Sequence, residues 1–143
     1  MAFTAQAQPA TDNLNPQFME IGQQFVQAYY PIFDDALQRP KLEPMYHANA
    51  FLTFEDDQRM GRDKIVDKLK NLPFQKVAHA LTKIDCQPTT DGGVLINVLG
   101  QVKVDDDRPI GFSHVFVLRP QDGTFYIMHE IFRLALHNIP DGS

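Results

Sequence analysis

The side chains best suited to moving protons in this chain are Tyr29, Tyr30, His79, Asp85, His114 and His129. A histidine or carboxylate base beside a tyrosine or protonated-acid donor is the arrangement needed for enolising and dehydrating chemistry. On a strand, His79 and Asp85 share the side-chain parity of Val77 and Leu81, so a His–Asp pair inside the fold is conceivable. These residues fall into no catalytic motif, however, and no catalytic residue is assigned. His47, His79, His114, His129 and His137 show no ligand spacing, so no metal site and no cofactor are expected. Cys86 is the only cysteine. It excludes an internal disulfide and points to a reducing compartment.

Charge gives a second kind of chemistry. Eighteen acidic against thirteen basic residues leave a net charge of −5. That balance disfavours nucleic acid or an anionic membrane as partner, since both select a basic face. It suits a basic protein surface, or simply solubility. The acids cluster at Glu55-Asp56-Asp57 and at Asp105-Asp106-Asp107. The second run lies on a turn, where three like charges stay solvated until a cation arrives.

The elements that would position these groups follow from periodicity. The chain has 143 residues, 43% of them apolar and 22% charged, the balance of one globular domain. Residues 1–16 form a polar leader of Ala, Gln, Thr, Asn and Pro without a signal-peptide core, expected to be flexible, and residues 17–143 form the domain. Phe18, Ile21, Gly22, Phe25, Tyr29 and Phe33 mark one face of a helix, opened by Asn15-Pro16 and closed at Asp34-Asp35, with Pro31 expected to kink its last turn. Residues 36–47 read as loop with a short helical piece near Pro44–Tyr46. A strand is expected at Ala50–Glu55 and a helix at Gly61–Leu72, stopped by Pro73. Strands at Lys76–Gln87, Val94–Val104, Ile110–Arg119 and Thr124–Leu136 follow, separated by turns at Asp91-Gly92-Gly93, Asp105–Pro109 and Gln121-Asp122-Gly123. Helix, strand, helix and a four-stranded meander make an α+β domain. No run approaches the ~20 apolar residues of a membrane-spanning helix.

The central strands do not alternate. Val94, Leu95, Ile96, Val98 and Leu99 are apolar on both faces, as are Val115, Phe116, Val117 and Leu118. Helices can cover one face of the sheet. The other requires a second copy, a loop or the leader.

Seven strings now acquire a common meaning. FVQAYYPIFD (25–34), LTFE (52–55), LPFQK (72–76), DCQPTTD (85–91), GQVKVDDD (100–107), GFSHVFVLR (111–119) and FRLALHN (132–138) occur in the order and near the spacing of the nuclear transport factor 2 family. The chain resembles that family over roughly 17–139. The resemblance implies a cone-shaped α+β fold, in which a strongly bent, mainly antiparallel sheet wraps a long N-terminal helix and leaves a pocket at the wide end. It also implies a homodimer joined through sheet faces, which agrees with the two-sided apolar strands.

The function so implied is adaptor work: binding the GTPase Ran in its GDP form together with FxFG-repeat nucleoporins, so that Ran returns to the nucleus. The expected locations are cytoplasm, nucleus and nuclear pore, with neither nucleic acid nor membrane as partner. By position, Phe54, Leu72, Val77, Val102, Ile110 and Phe132 would line the pocket for an aromatic ring of Ran, and Glu55, Asp105 and Asp107 would meet cations at its rim. Phe18 matches the aromatic that contacts nucleoporin repeats, and equally begins the core face of the first helix. The chain departs from vertebrate members in lacking tryptophan at Phe18 and Phe54, in the added acids Asp56 and Asp57, and in Arg108 preceding Pro109. Two other readings share the fold: the small partner of a messenger-RNA export receptor, against which Asp105–Asp107 argues, and isomerases or dehydratases such as ketosteroid isomerase and scytalone dehydratase.

Overall fold

In the computed structural model, which describes residues 13–136, helix α1 (Phe18–Asp34) lies across the inner face of one six-stranded sheet. The leader expected at 1–16 falls largely outside the described residues, as do His137 and the rest of the tail. The Asn15 side chain accepts a hydrogen bond from the Gln17 backbone N–H, and Phe18 donates to the Asn15 carbonyl. The chain thereby turns into the helix just after Pro16. The helix continues through Pro31 to Asp34. Gly22 sits where α1 comes nearest the sheet: a Cβ there would lie 2.3 Å from Cys86 Sγ. Only hydrogen fits.

A 3-10 helix, Arg39–Met45, follows, longer and earlier than the helical piece expected near Pro44. Pro40 and Pro44 lack N–H donors, which suits a tight helix with few hydrogen bonds to lose. β1 (Tyr46–Phe54), β2 (Asp57–Met60) and α2 (Arg62–Lys70) complete the first half. β3 (Val77–Pro88), β4 (Val94–Val104), β5 (Ile110–Gln121) and β6 (Thr124–Leu134) form the expected meander. The β5–β6 turn is a two-residue hairpin with Asp122 and Gly123 both at positive φ.

The sheet runs β2-β1-β6-β5-β4-β3. β1 is parallel to β6 and every other pair is antiparallel. The two edge strands do not meet, so the sheet is open and curls around α1, the α+β architecture expected. Val26, Tyr29, Leu42, Tyr46, Val94, Ile96, Val98, Phe116 and Ile127 have no exposed surface and form the core between helix and sheet. The inner positions of β4 and β5 alternate with the outer ones: Val94, Ile96 and Val98 face Leu118, Phe116 and His114, Gly100 faces Phe112, and Val102 faces Ile110. Their outer positions stay partly or wholly exposed, leaving an apolar face open in the single chain.

Candidate functional site

The site begins where four strand ends and α1 converge. Phe54 ends β1. Val77 and His79 open β3, Val102 and Val104 close β4, and Phe132 and Leu134 close β6. Tyr29 and Phe33, one turn apart on α1, and His114 of β5 form the inner wall, and Phe74 closes the side after α2. Together they enclose an apolar cavity of about 80 Å³. One water occupies about 10–15 Å³ on the same measure, so a larger apolar group fits. Phe54 and Phe132 stack at 4.8 Å and 17°, giving the wall a flat aromatic panel.

Of the residues expected to line this pocket, Phe54, Val77, Val102 and Phe132 do. Leu72 lies past the end of α2, partly buried against the core, and Ile110 is the first residue of β5, opposite Val102; neither is among the lining residues. Phe33, Phe74, His79, Val104, His114, Leu134 and Tyr29 line it and were not assigned from sequence. Strand parity could have found three of them: Val104 two residues after Val102, Leu134 two after Phe132, His79 two after Val77.

The expected rim acids sit beside lining residues. Glu55 follows Phe54 at positive φ; its backbone N–H donates to the Phe132 carbonyl and its carboxylate accepts from the Leu134 N–H. Asp105 follows Val104, also at positive φ, and its carboxylate accepts from the Gln75 and Lys76 N–H groups at 3.0 and 2.9 Å. Each carboxylate is thus fixed by backbone next to the cavity through one oxygen. Asp107 is exposed in the same turn, its N–H bonded to the Val104 carbonyl. Among the described residues none of Glu55, Asp105 and Asp107 is in an ion pair, Arg108 included. The added acids differ. Asp57 is held by Arg59 and Lys68 at 3.0 and 3.1 Å, whose hydrogen bonds keep its carboxyl below the usual range, and Asp56 meets Arg133 at 3.1 Å. Lys68 also lies 5.5 Å from the Phe54 ring centre, which places a cation over that aromatic.

Behind the cavity is a buried polar cluster that sequence reasoning did not assemble. Glu130, 2% exposed, accepts from Tyr29 at 2.9 Å, from Tyr46, and from His114 Nε2 at 2.6 Å. Tyr30 meets His114 Nδ1 at 2.8 Å. Burial, reinforced by the Glu130 charge, raises all three tyrosine pKa values, so their hydroxyls stay protonated. Burial lowers that of His114, opposed by the hydrogen bond and charge of Glu130. A neutral imidazole with its proton on Nε2 satisfies both contacts, because Nδ1 then accepts from Tyr30. The donors and acceptors of the cluster are spent on one another.

The His79–Asp85 pair does not form. β3 carries a bulge between Leu81 and Lys83, which shifts the side-chain parity. Asp85 is therefore exposed, and His79 pairs with Asp34 at the end of α1. His129 lies on the outer face, stacked on Phe51 at 6.0 Å. Among the described residues no group of three or more His, Cys, Asp or Glu could hold a metal ion.

The lowered His114 pKa has a measurable consequence. The unfolded chain takes up this proton near pH 6.5, the folded chain only at lower pH. The unfolded state therefore binds more protons just below pH 6.5, and stability falls as pH drops through that window, by up to about 1.4 kcal/mol per pH unit. We expect urea midpoints of the unaltered protein to fall between pH 7 and 5.5, and His114→Gln to flatten that fall. Parallel curves for the two proteins would contradict the assignment.

Residues 21–134 match the protein family described as the nuclear transport factor 2 (NTF2) domain. A Caenorhabditis elegans protein named probable nuclear transport factor 2 is 44% identical over 131 residues, 88% of this chain and 98% of that protein. Nuclear transport factor 2 of Neurospora crassa is 44% identical over 121 residues, 83% of this chain and 96% of its own. The solved structure of nuclear transport factor 2 from Cryptosporidium parvum superposes with a TM-score of 0.82 at 45% identity, covering 87% of this chain and 99% of that one.

Proposed function

The chain belongs to the nuclear transport factor 2 family, and from that membership we propose that it is a homodimeric carrier that binds GDP-bound Ran and FxFG nucleoporin repeats and mediates import of Ran into the nucleus. Its relatives are named as transport factors, not as enzymes. The observation that carries the proposal is the apolar cavity flanked by Glu55 and Asp105, both anchored by backbone and in no ion pair among the described residues. An aromatic side chain entering such a hollow contributes buried area and fit, and lysine or arginine beside it meets the carboxylates. In this reading Phe54, Val77, Val102 and Phe132 contact the ring, with Leu72 and Ile110 supporting the wall, and Glu55, Asp105 and Asp107 set register. The protein would shuttle between cytoplasm and nucleus through the pore.

The outer sheet face supports the homodimer. Leu95, Val117, His129, Phe51 and Met60 align across five strands. Phe51, Met60, Leu99 and Ile131 are 43–62% exposed in the single chain. A contiguous apolar face of this kind is normally covered, and a second copy supplies a matching one by two-fold symmetry.

Phe18 opens α1 half-buried against the core, so its ring is partly available to a repeat phenylalanine. Phe18→Ala is expected to weaken retention on immobilised FxFG repeats about tenfold while leaving Ran affinity within twofold. Joint loss of both would make Phe18 a structural residue only. The function itself is tested by pull-down of Ran loaded with GDP or GTP. Capture of the GDP form alone is expected, and equal capture or none would refute the proposal.

A further inference from the structure

One side of the cavity is closed by a residue that no helix or strand holds. Phe74 lies in residues 71–76, between α2 and β3, and no backbone hydrogen bond among the described residues involves it. The backbone anchors that follow it are at Gln75 and Lys76, both held by Asp105. The group that reaches Phe74 itself is Arg39, the first residue of the 3-10 helix. Its guanidinium lies over the Phe74 ring at 5.1 Å and over the Phe33 ring at 5.2 Å, and both rings line the cavity. Its Nε donates at 2.7 Å to the Phe33 carbonyl, one of the acceptors that the end of α1 leaves without a helical partner. We infer that Arg39 is a positioning residue of the ring site: one buried guanidinium fixes Phe33 of α1 and Phe74 of the segment after α2 as a single side wall.

The energetics of Arg39 argue for a role beyond packing. It is 2% exposed, it is in no ion pair among the described residues, and its Nη2 is sealed without a hydrogen-bond partner. A cation buried in this way costs stability, and an apolar side chain of similar length would fill the space without that penalty. No apolar chain, however, can attract two aromatic faces as a cation and also donate from its edge to a helix end. Arg39 does both, and so ties α1 to a segment that has no hydrogen-bond ladder of its own. A wall fixed before the ring arrives has less order to gain on binding, which favours affinity. This inference rests on the reading of the cavity as a ring site and adds a residue that stands behind its lining.

The test compares Arg39→Met and Arg39→Lys with the unaltered full chain, phenylalanine rings labelled with carbon-13 and toluene as the ligand. Toluene reads the wall without the rim acids. In free Arg39→Met the ring signals of Phe33 and Phe74 are expected to move while that of Phe116, in the core, stays. Its melting temperature is expected to remain within about 3 °C, because the lost contacts are offset by relief of a buried, incompletely bonded cation. Its toluene affinity is expected to fall about tenfold as the wall loses its order. Arg39→Lys keeps a cation beside the rings but neither the planar fork nor the Nε donor, so it should lose about threefold. Unmoved Phe74 signals, or an unchanged toluene affinity in Arg39→Met, would overturn the inference and leave the ring reading standing. So would a shift of Phe116 together with a melting temperature lowered by more than about 3 °C, which would make Arg39 a core residue only. No toluene shift at Phe54, Phe74 and Phe132 of the unaltered protein would overturn the ring reading and this inference with it.

Discussion

Glu55→Lys is expected to weaken binding of GDP-bound Ran by at least about 100-fold, measured by titration calorimetry. Glu55 stands beside Phe54 at the cavity and is in no ion pair among the described residues, so its second carboxylate oxygen is available to a partner's cation. Reversing its charge removes one attraction and adds a repulsion at close range. Like charges facing each other across an interface cost several kcal/mol, and about 2.7 kcal/mol corresponds to 100-fold. The substitution also removes the acceptor for the Leu134 N–H, a loss of about 1 kcal/mol in stability. Glu55→Gln separates the two effects. It keeps an acceptor for Leu134 and loses only the charge, so it should weaken Ran by about tenfold with little change in melting temperature. Neither variant should change the protein's mass in solution by light scattering, since Glu55 lies at the cavity and not on the outer sheet face proposed for the dimer. An affinity for Glu55→Lys within threefold of the unaltered protein would remove Glu55 from the site.

Glu130→Leu is expected to be the most destabilising single change, at about 3–5 kcal/mol, or roughly 10–20 °C in melting temperature. The carboxylate is the common acceptor for Tyr29, Tyr46 and His114. Leucine approximates its volume but accepts nothing, so three buried donors lose their partner together. Each unsatisfied donor costs about 1–3 kcal/mol, and relaxation of the cluster recovers part of the sum. A drop of less than about 3 °C in a calorimetric scan would show that the cluster is not a structural keystone. Tyr29 and His114 are also cavity wall, so a loosened cluster should weaken Ran binding indirectly.

What sequence made legible was whatever depended on local period. Val94–Val104 starts and stops where expected, because a stretch rich in Val, Leu and Ile is bounded by Gly93 and by Asp105. Two-sided apolarity in that strand and in Ile110–Gln121 correctly indicated an outer face open in the single chain. β2 was not legible: Asp57, Gln58, Arg59 and Met60 have the composition of a turn and become a strand only by pairing with Phe51–Phe54. Asp85 was misplaced because a parity argument assumes an unbroken strand, and the bulge at Leu81/Lys83 breaks it. Glu130 escaped notice for a different reason. Its three partners come from α1, β1 and β5, far apart in the chain, and only the assembled sheet makes a buried glutamate tolerable. Asp34 looked like a helix terminus and is also the partner of His79, 45 residues away.

The most direct test of the account is to titrate GDP-loaded Ran into this protein labelled with carbon-13 at its phenylalanine rings and valine methyl groups. The account predicts the largest shifts at Phe54, Phe74, Phe132, Val77 and Val102, with intermolecular Overhauser contacts from a single aromatic ring of Ran to Val77 and Val102. Shifts confined to the outer face around Phe51 and Val117, with the cavity signals unmoved, would contradict it.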